Sequence, residues 1–282
     1  MKLLRYGPIG AEKPGILDGE GQIRDLSLTL PEGFDAATLS PEGLANLAAM
    51  DSEGFPVVPG APRIGAPVPR PINYVCIGLN YADHAAESGL KVPTEPVVFL
   101  KSTGAYAGPN DDVKIPRGSK KTDWEVELGV IIGSPAKYVS EADALGHVAG
   151  YCVCNDVSER ELQIERGGTW DKGKGCDTFG PTGPWLVTRD EVPDPQNLEM
   201  WLDVDGQRMQ HGNTKTMVFG VAKLVSYLSH LWTLHPGDII STGTPPGVGL
   251  GKKPEPIFLK AGQIVTLGIA GLGAQRQTFV QD

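Results

Sequence analysis

The segment KTDWEVELGVII, residues 121–132, brings two carboxylates together in an apolar run. In a strand, side chains two apart share a face, so Glu125 and Glu127 point one way while Trp124, Val126 and Leu128 point the other. Adjacent carboxylates repel and must be solvated, protonated or bound to a cation. A second apolar run ends in CNDVSERE and sets Asp156 at a strand terminus. Three carboxylates from two strand ends would supply hard oxygen ligands suited to Mg²⁺, with positions left for water and substrate. A solvated sheet edge explains Glu125 and Glu127 equally well.

Two further segments carry chemistry. In GLNYADHAAESG, His84 and Glu87 are three apart, so a helical turn would let the carboxylate hold one imidazole nitrogen and leave the other as a base for water. An exposed helical pair is the plain alternative. In RGGTWDKGKGCDTFGPTGPWL, Gly168 to Lys174 nearly spells a phosphate-binding loop, but Gly175 stands where the magnesium-binding hydroxyl belongs and no apolar strand leads into Gly168. What is left is a glycine-rich loop with Lys172 and Lys174, either a solvated basic loop or a lysine facing an anionic substrate or oxyanion.

The elements that must position these groups are mostly strands. Short β-rich runs are predicted at Tyr74–Leu79, Val97–Leu100, Val126–Ile132 and Val148–Val153, each bounded by Gly, Pro or Asp. Asp205-Gly206 lies between two alternating stretches and predicts a hairpin, and residues 263–280 read as another. One amphipathic helix is predicted near Met217–Leu231, and PEGLANLAAM reads as a helical patch. Six prolines between Pro56 and Pro71 exclude a central strand or helix there. The expected division is therefore a small β-rich module with a connector, 1–70, and a larger domain, 71–282. With 37 glycines among 282 residues, a β-dominated mixed α+β fold with tight turns is expected rather than a doubly wound sheet.

Composition limits the classes of function. A formal net charge of -9 argues against nucleic-acid binding and against a polybasic membrane surface. No apolar run reaches the length of about 18 residues that a membrane span needs. The opening MKLLRYGPIGAEKPG is interrupted by Arg5, Glu12 and Lys13 and lacks a signal-peptide core, so a soluble cytoplasmic protein is expected. Cys76, Cys152, Cys154 and Cys176 contain no CxxC and read as reduced thiols. Cys154 shares strand parity with Asp156, but a soft thiolate would favour Zn²⁺, so it stays outside the ligand set.

Taken in order, GLNYADHAAE (78–87), EPVVFLKSTGAYAGP (95–109), DWEVELGVIIG (123–133), GYCVCNDVSERELQ (150–163), KGKGCDTFGPTGPWL (172–186) and GDIISTGTPPGVG (237–249) resemble the fumarylacetoacetate hydrolase family, over roughly Pro71 to Gly273. The opening resembles a bacterial branch that includes 2,4-diketo-3-deoxy sugar acid hydrolases and proteins labelled ureidoglycolate lyase. The resemblance implies a fumarylacetoacetase-like β-roll core, a homodimer, and Mg²⁺ (Mn²⁺ or Ca²⁺ as substitutes) on Glu125, Glu127 and Asp156. It places the catalytic His–Glu pair on His84 and Glu87, and the active-site lysine on Lys174, with Lys172 as fallback. Substrate contacts fall on Arg160, Gln163, Thr244, Lys101 and Tyr81. Gly175-Cys176 departs from the Ser-Phe often found after the lysine, which leaves the local pocket shape open. The implied reaction is hydrolysis of the C3–C4 bond of a 2,4-diketo acid, such as L-2,4-diketo-3-deoxyrhamnonate or -fuconate, to pyruvate and an acid such as lactate. Ureidoglycolate lyase, oxaloacetate decarboxylase and dienoate isomerase chemistry would use the same metal–enolate site. A non-catalytic binder of acidic metabolites is the reading from another class.

Overall fold

The computed structural model describes residues 1–83 and 91–282. The first strands are β1 (Lys2–Tyr6), β2 (Lys13–Leu17), β3 (Ile23–Asp25), β4 (Ile64–Gly65), β5 (Tyr74–Gly78) and β6 (Val97–Leu100). They are followed by β7 (Tyr106–Ala107), β8 (Val113–Ile115), β9 (Thr122–Asp123), β10 (Val126–Ile132), β11 (Val148–Asn155) and β12 (Ser158–Glu159). The last are β13 (Gly180–Thr188), β14 (Glu199–Val204), β15 (Gln207–Asn213), β16 (Ile239–Ser241), β17 (Ile264–Ile269) and β18 (Gly273–Gln281). The main sheet runs β3-β2-β1-β13-β11-β10-β16-β5-β6, with β4 on β1 and β7 on β13. A second sheet runs β15-β14-β17-β18-β8, and β12 pairs with β9. The fold is mixed and sheet-dominated.

The apolar strand runs of the main sheet are continuous because both of its faces are covered. Alternation divides each strand between two cores. Val75 and Ile77 of β5, with Val126, Leu128 and Val130 of β10, join a core that includes the second sheet and the helix Val221–Leu231. Tyr74 and Cys76 of β5, Ile131 of β10, and Cys152 and Cys154 of β11 face the other way. There they meet Leu3, Ile16, Leu26, Phe34, Leu39 and Leu47 from the first 50 residues. Each such side chain taken fully out of water contributes about 1.5–3 kcal/mol before entropy is counted. Residues 1–70 thus add β1–β4 to the main sheet, through antiparallel pairing of Lys2 and Leu3 with Val187 and Leu186.

The Asp205-Gly206 turn joins β14 and β15, and both residues take positive φ, as a two-residue hairpin turn requires. The C-terminal hairpin is β17–β18. The amphipathic helix begins at Val221, later than the spacing predicts. Thr214–Thr216 forms a 3₁₀ turn, Gly220 is extended, and Gln196 Oε1 accepts the Val221 N–H at 2.6 Å. The patch after Ser40 is a helix, Pro41–Ala48, capped by the Ser40 hydroxyl on Gly43 N–H. Among the described residues no helix is long and apolar enough to cross a membrane.

Candidate metal centre and its cavity

Glu125 immediately precedes β10, Glu127 lies within it, and Asp156 follows the last residue of β11. The two strands are paired so that Val126 faces Asn155 and Glu127 faces Cys154. The Asp156 N–H donates to the Glu125 carbonyl at 2.9 Å, which extends the ladder past the strand ends and holds the carboxylates at one edge. One oxygen from each of Glu125, Glu127 and Asp156 lies within 4.8 Å of the others, and all three residues are buried. Cys154 is not part of this cluster; its thiol neighbours Cys152 and the Thr182 hydroxyl, and all four cysteines are free.

The acids are not equivalent. Lys174 Nζ bridges Glu125 Oε2 at 2.6 Å and Asp156 Oδ2 at 2.8 Å. Arg160 reaches Glu125 Oε1 at 2.6 Å, and Lys101 Nζ lies 2.6 Å from Asp156 Oδ1. That last contact is too misaligned for a hydrogen bond, so Asp156 Oδ1 is buried without one. Glu127 has no ion pair among the described residues. Among the described residues its Oε2 accepts only from the Ser241 hydroxyl at 2.6 Å and Gly243 N–H at 2.9 Å. Gly243 takes φ +100°, and a Cβ there would stand 2.8 Å from Asn80 Cβ, so this donor requires glycine. A buried all-oxygen set, with one acid lacking a cation and one oxygen lacking a donor, fits a hard divalent ion.

The electrostatics follow this asymmetry. Burial alone would raise Glu125, but Lys174 and Arg160 outweigh it and hold the carboxyl at about 2. Burial, then the charges of Asp156 and Glu125, push Glu127 well above its ordinary 4.5. Lys174 rises above its usual range because Asp156 and Glu125 overcome the opposing effect of burial. In metal-free protein the stability linked to Glu127 is complete below pH 4.5 and is lost as pH rises through its folded-state value. Glu125 acts in the opposite sense, but only below 4.5, so of these two acids Glu127 alone changes stability above that pH. A bound cation needs Glu127 ionised. Any rise in Tm caused by a divalent cation at this site is therefore expected to grow as pH rises above 4.5, with proton release on binding. Calorimetry in buffers of different ionisation heat measures this; a pH-independent Tm gain without proton release would contradict it.

The segment after β12 brings the cations in. Arg160 leads into a π-helical turn, Glu161–Glu165, which turns Gln163 inward so that its Oε1 accepts from Arg160 at 2.9 Å. A short helix, Asp171–Lys174, then packs so closely on that turn that a Cβ on Gly173 would lie 2.6 Å from Gln163 Cβ, and 2.4 Å from the Glu159 carbonyl of β12. This approach directs Lys174 into the acid cluster. Lys172 lies outside it, exposed, and donates to the Arg166 carbonyl.

A cavity of about 280 Å³ opens onto Glu125, Glu127 and Lys174, with Arg160, Gln163 and Thr244 beside them. The Thr244 hydroxyl donates to the Val126 carbonyl and accepts from Gln210, each bond under 3 Å. Lys101 and Tyr81 do not line this cavity. Lys101 is buried behind it and donates to the Val157 and Lys174 carbonyls. Tyr81 is fully buried in the core with its hydroxyl on Met200 sulfur, which leaves no route to a ligand in the cavity. His84 and Glu87 lie outside the described residues.

Asp123 and Gln210 are part of this architecture and were not singled out by sequence reasoning. Asp123 accepts from Arg160 Nε at 2.8 Å and from the N–H groups of Trp124, Gly249 and Leu250. One buried carboxylate thus ties Arg160 to the 249–250 wall. Its place at the head of DWEVEL was the available signal. Gln210 joins β15 to Val126 N–H, Thr244 and the Pro245 carbonyl; nothing in its local sequence marks it.

With this geometry in view, comparison with known proteins defines the class. The family described as fumarylacetoacetate (FAA) hydrolase C-terminal matches residues 73–280, and the chain belongs to that family. A Burkholderia multivorans protein named "Putative hydrolase" is 67% identical over 277 residues, 98% of each chain. Three solved structures are similar along the whole chain. Fumarylacetoacetate hydrolase from Exiguobacterium antarcticum has a TM-score of 0.88 at 32% identity, covering 100% of both chains. Maleylpyruvate hydrolase from Sphingobium sp. SYK-6, in complex with manganese(II) and pyruvate, has 0.82 at 29%, covering 100% of this chain and 99% of that one. 2-Hydroxyhepta-2,4-diene-1,7-dioate isomerase from Mycobacterium marinum has 0.74 at 34%, with the same coverage.

Proposed function

We propose that this protein is a metal-dependent hydrolase that cleaves the C3–C4 bond of a 2,4-diketo acid, releasing pyruvate and a second carboxylic acid. The observation that supports this reading is the buried Glu125–Glu127–Asp156 cluster at the base of a cavity, with Lys174 bridging two of its members. Mg²⁺, or Mn²⁺ or Ca²⁺ in its place, held by those three acids would supply Lewis-acid polarisation of the 2-oxo acid head. Lys174 is held in its charged form by two carboxylates, so its role is to stabilise developing negative charge rather than to act as a base. Gln163 uses its oxygen on Arg160 and lines the cavity, so its amide N–H groups are assigned to ligand oxygens. Water activation is assigned to His84 oriented by Glu87. Water adds across the bond, hydroxyl to C4 and proton to C3. The proposed substrate is a small anionic 2-oxo acid and the proposed assembly a homodimer.

The test is pyruvate release from a panel of acylpyruvates and 2,4-diketo-3-deoxy sugar acids, with Mg²⁺ and then with EDTA. Metal-dependent release supports the reading; no release by protein that binds Mg²⁺ rejects it. His84→Ala is expected to keep metal and lose turnover. The isomerase among the similar structures favours one second reading, isomerisation of a dienoate at the same head site without water. A product that keeps every carbon of the substrate would distinguish it.

Asp123 gives a separate expectation. Asp123→Asn turns an amide N–H₂ toward donors that now meet a carboxylate, which loosens Arg160 and the 249–250 wall. The affinity for pyruvate in the presence of Mn²⁺ is expected to fall about tenfold, as for loss of a hydrogen bond to a charged group. Mn²⁺ affinity is expected to change less than pyruvate affinity, since Asp123 reaches the metal cluster only through Arg160. Calorimetry measures both, and an equal loss of the two affinities would contradict this role.

A further inference from the structure

We infer that Gln277, in the last strand of the second sheet, is a positioning residue for the metal centre, acting through Asn155 on the backbone of Glu125. This rests on the metal-centre reading of Glu125, Glu127 and Asp156, and not on the reaction assigned to it. β16 pairs with β10 only from Gly129 to Ile131, so the end of β10 that bears the acids has a ladder on its β11 side alone. Two N–H groups at that end are taken by side-chain amides instead. Gln210 Oε1 accepts from Val126 at 2.9 Å, and Asn155 Oδ1 accepts from Glu125 at 3.2 Å.

Asn155 is held in its turn. Its Nδ2 donates to Gln277 Oε1 at 3.0 Å, while Gln277 Nε2 donates to Gln275 Oε1 at 2.9 Å and to the Pro109 carbonyl. Gln275 Nε2 closes the chain on the carbonyls of Val153 at 2.7 Å and Gly183 at 3.1 Å. Gln275 and Gln277 are two apart on β18 and so share the face turned to the main sheet. All three amides are at most 1% exposed, so no solvent substitutes for a lost partner. Carbonyls at one end can only accept and the Glu125 N–H at the other can only donate, so each amide has one satisfied setting. Without Gln277 the Asn155 amide is free to turn, and the Glu125 N–H loses its acceptor. Asn155 also immediately precedes Asp156, so the disturbance reaches two of the three acids. Outer partners that orient metal ligands commonly carry about 10–100-fold in metal affinity.

Calorimetric Mn²⁺ titration of the unmodified protein, of Gln277→Met, of Asn155→Ala and of the double variant tests this. Gln277→Met is expected to weaken Mn²⁺ binding about tenfold. The double variant is expected to lose no more than Asn155→Ala alone, since the two residues act in series. A purely structural role would lower stability to urea and leave Mn²⁺ affinity in place, which would overturn the inference. Losses that add in the double variant would overturn it as well. If Gln277→Met does not fold, NMR of the unmodified protein decides. Mg²⁺ is expected to move the side-chain amide signals of Asn155 and Gln277 together with the Glu125 N–H, and to leave those of exposed Gln207 in place. A Glu125 signal that moves while that of Gln277 stays would overturn the inference. Unmodified protein that binds neither Mn²⁺ nor Mg²⁺ would instead overturn the metal-centre reading, and this inference with it.

Discussion

Lys174→Met is expected to lower pyruvate release by about 10²–10³-fold, the usual loss when one charged or hydrogen-bonding donor is removed from a developing oxyanion. Mn²⁺ affinity is expected to hold or to tighten. The Lys174 ammonium sits 2.6 Å from Glu125 and 2.8 Å from Asp156, so it competes with a metal for the same oxygens. Folding is expected to survive, because Arg160 still faces Glu125 and Lys101 still faces Asp156. Lys174→Arg is not expected to restore activity, since a planar guanidinium does not reproduce the compact ammonium that bridges Glu125 Oε2 and Asp156 Oδ2. Steady-state turnover and calorimetric Mn²⁺ titration together give the result. Turnover within a few-fold of the unmodified protein would remove Lys174 from the reaction.

Asp156→Ala is expected to remove metal binding and turnover together, and to cost about 3–5 kcal/mol of stability besides. The stability loss follows from position. Both oxygens of Asp156 face a buried ammonium, Lys101 on one side and Lys174 on the other, and their side chains are at most 3% exposed. Deleting the acid leaves buried Lys101 without an ion pair among the described residues and Lys174 with Glu125 alone. Asp156→Asn separates volume from charge and is expected to lose metal with the same sign of destabilisation. Urea denaturation and Mn²⁺ titration check both variants. A stable Asp156→Ala protein that still binds Mn²⁺ would show that this acid is not part of the centre.

Much of this organisation is local and therefore legible in the chain. Alternation around Glu125 and Glu127 places both on one face, and an Asp-Gly pair between alternating runs marks the β14–β15 turn, because each depends on neighbours within a few residues. The start of the Val221–Leu231 helix was less legible. It depends on Gln196, 25 residues earlier, accepting its first N–H. Asp123 offered no more than its place at the head of DWEVEL for the same reason, since its partners Arg160, Gly249 and Leu250 come from segments up to 127 residues away. Likewise nothing in KLLRY announces a pairing with residues 186–187. Tyr81 shows the converse: a motif suggests a role, while packing turns the side chain into the core. Lys172 and Lys174 are two residues apart and so point to opposite sides of one short helix, and the close contact at Gly173 sets which side faces the acids.

The base and the wall of the cavity are built from different kinds of structure. Glu125, Glu127 and Asp156 stand within or directly at the ends of paired central strands of a sheet covered on both faces, whereas Ile164, Trp170, Leu250 and Lys253 stand on connections. Strand positions tolerate little change, because a shift of one residue reverses which face each side chain occupies. Connections accept substitution and changes of length at small energetic cost. Descendants of such a chain could therefore exchange one tail preference for another through a few loop substitutions while the head chemistry stayed constant. In the laboratory, libraries confined to residues 164–170 and 248–253 should change substrate range while preserving metal affinity.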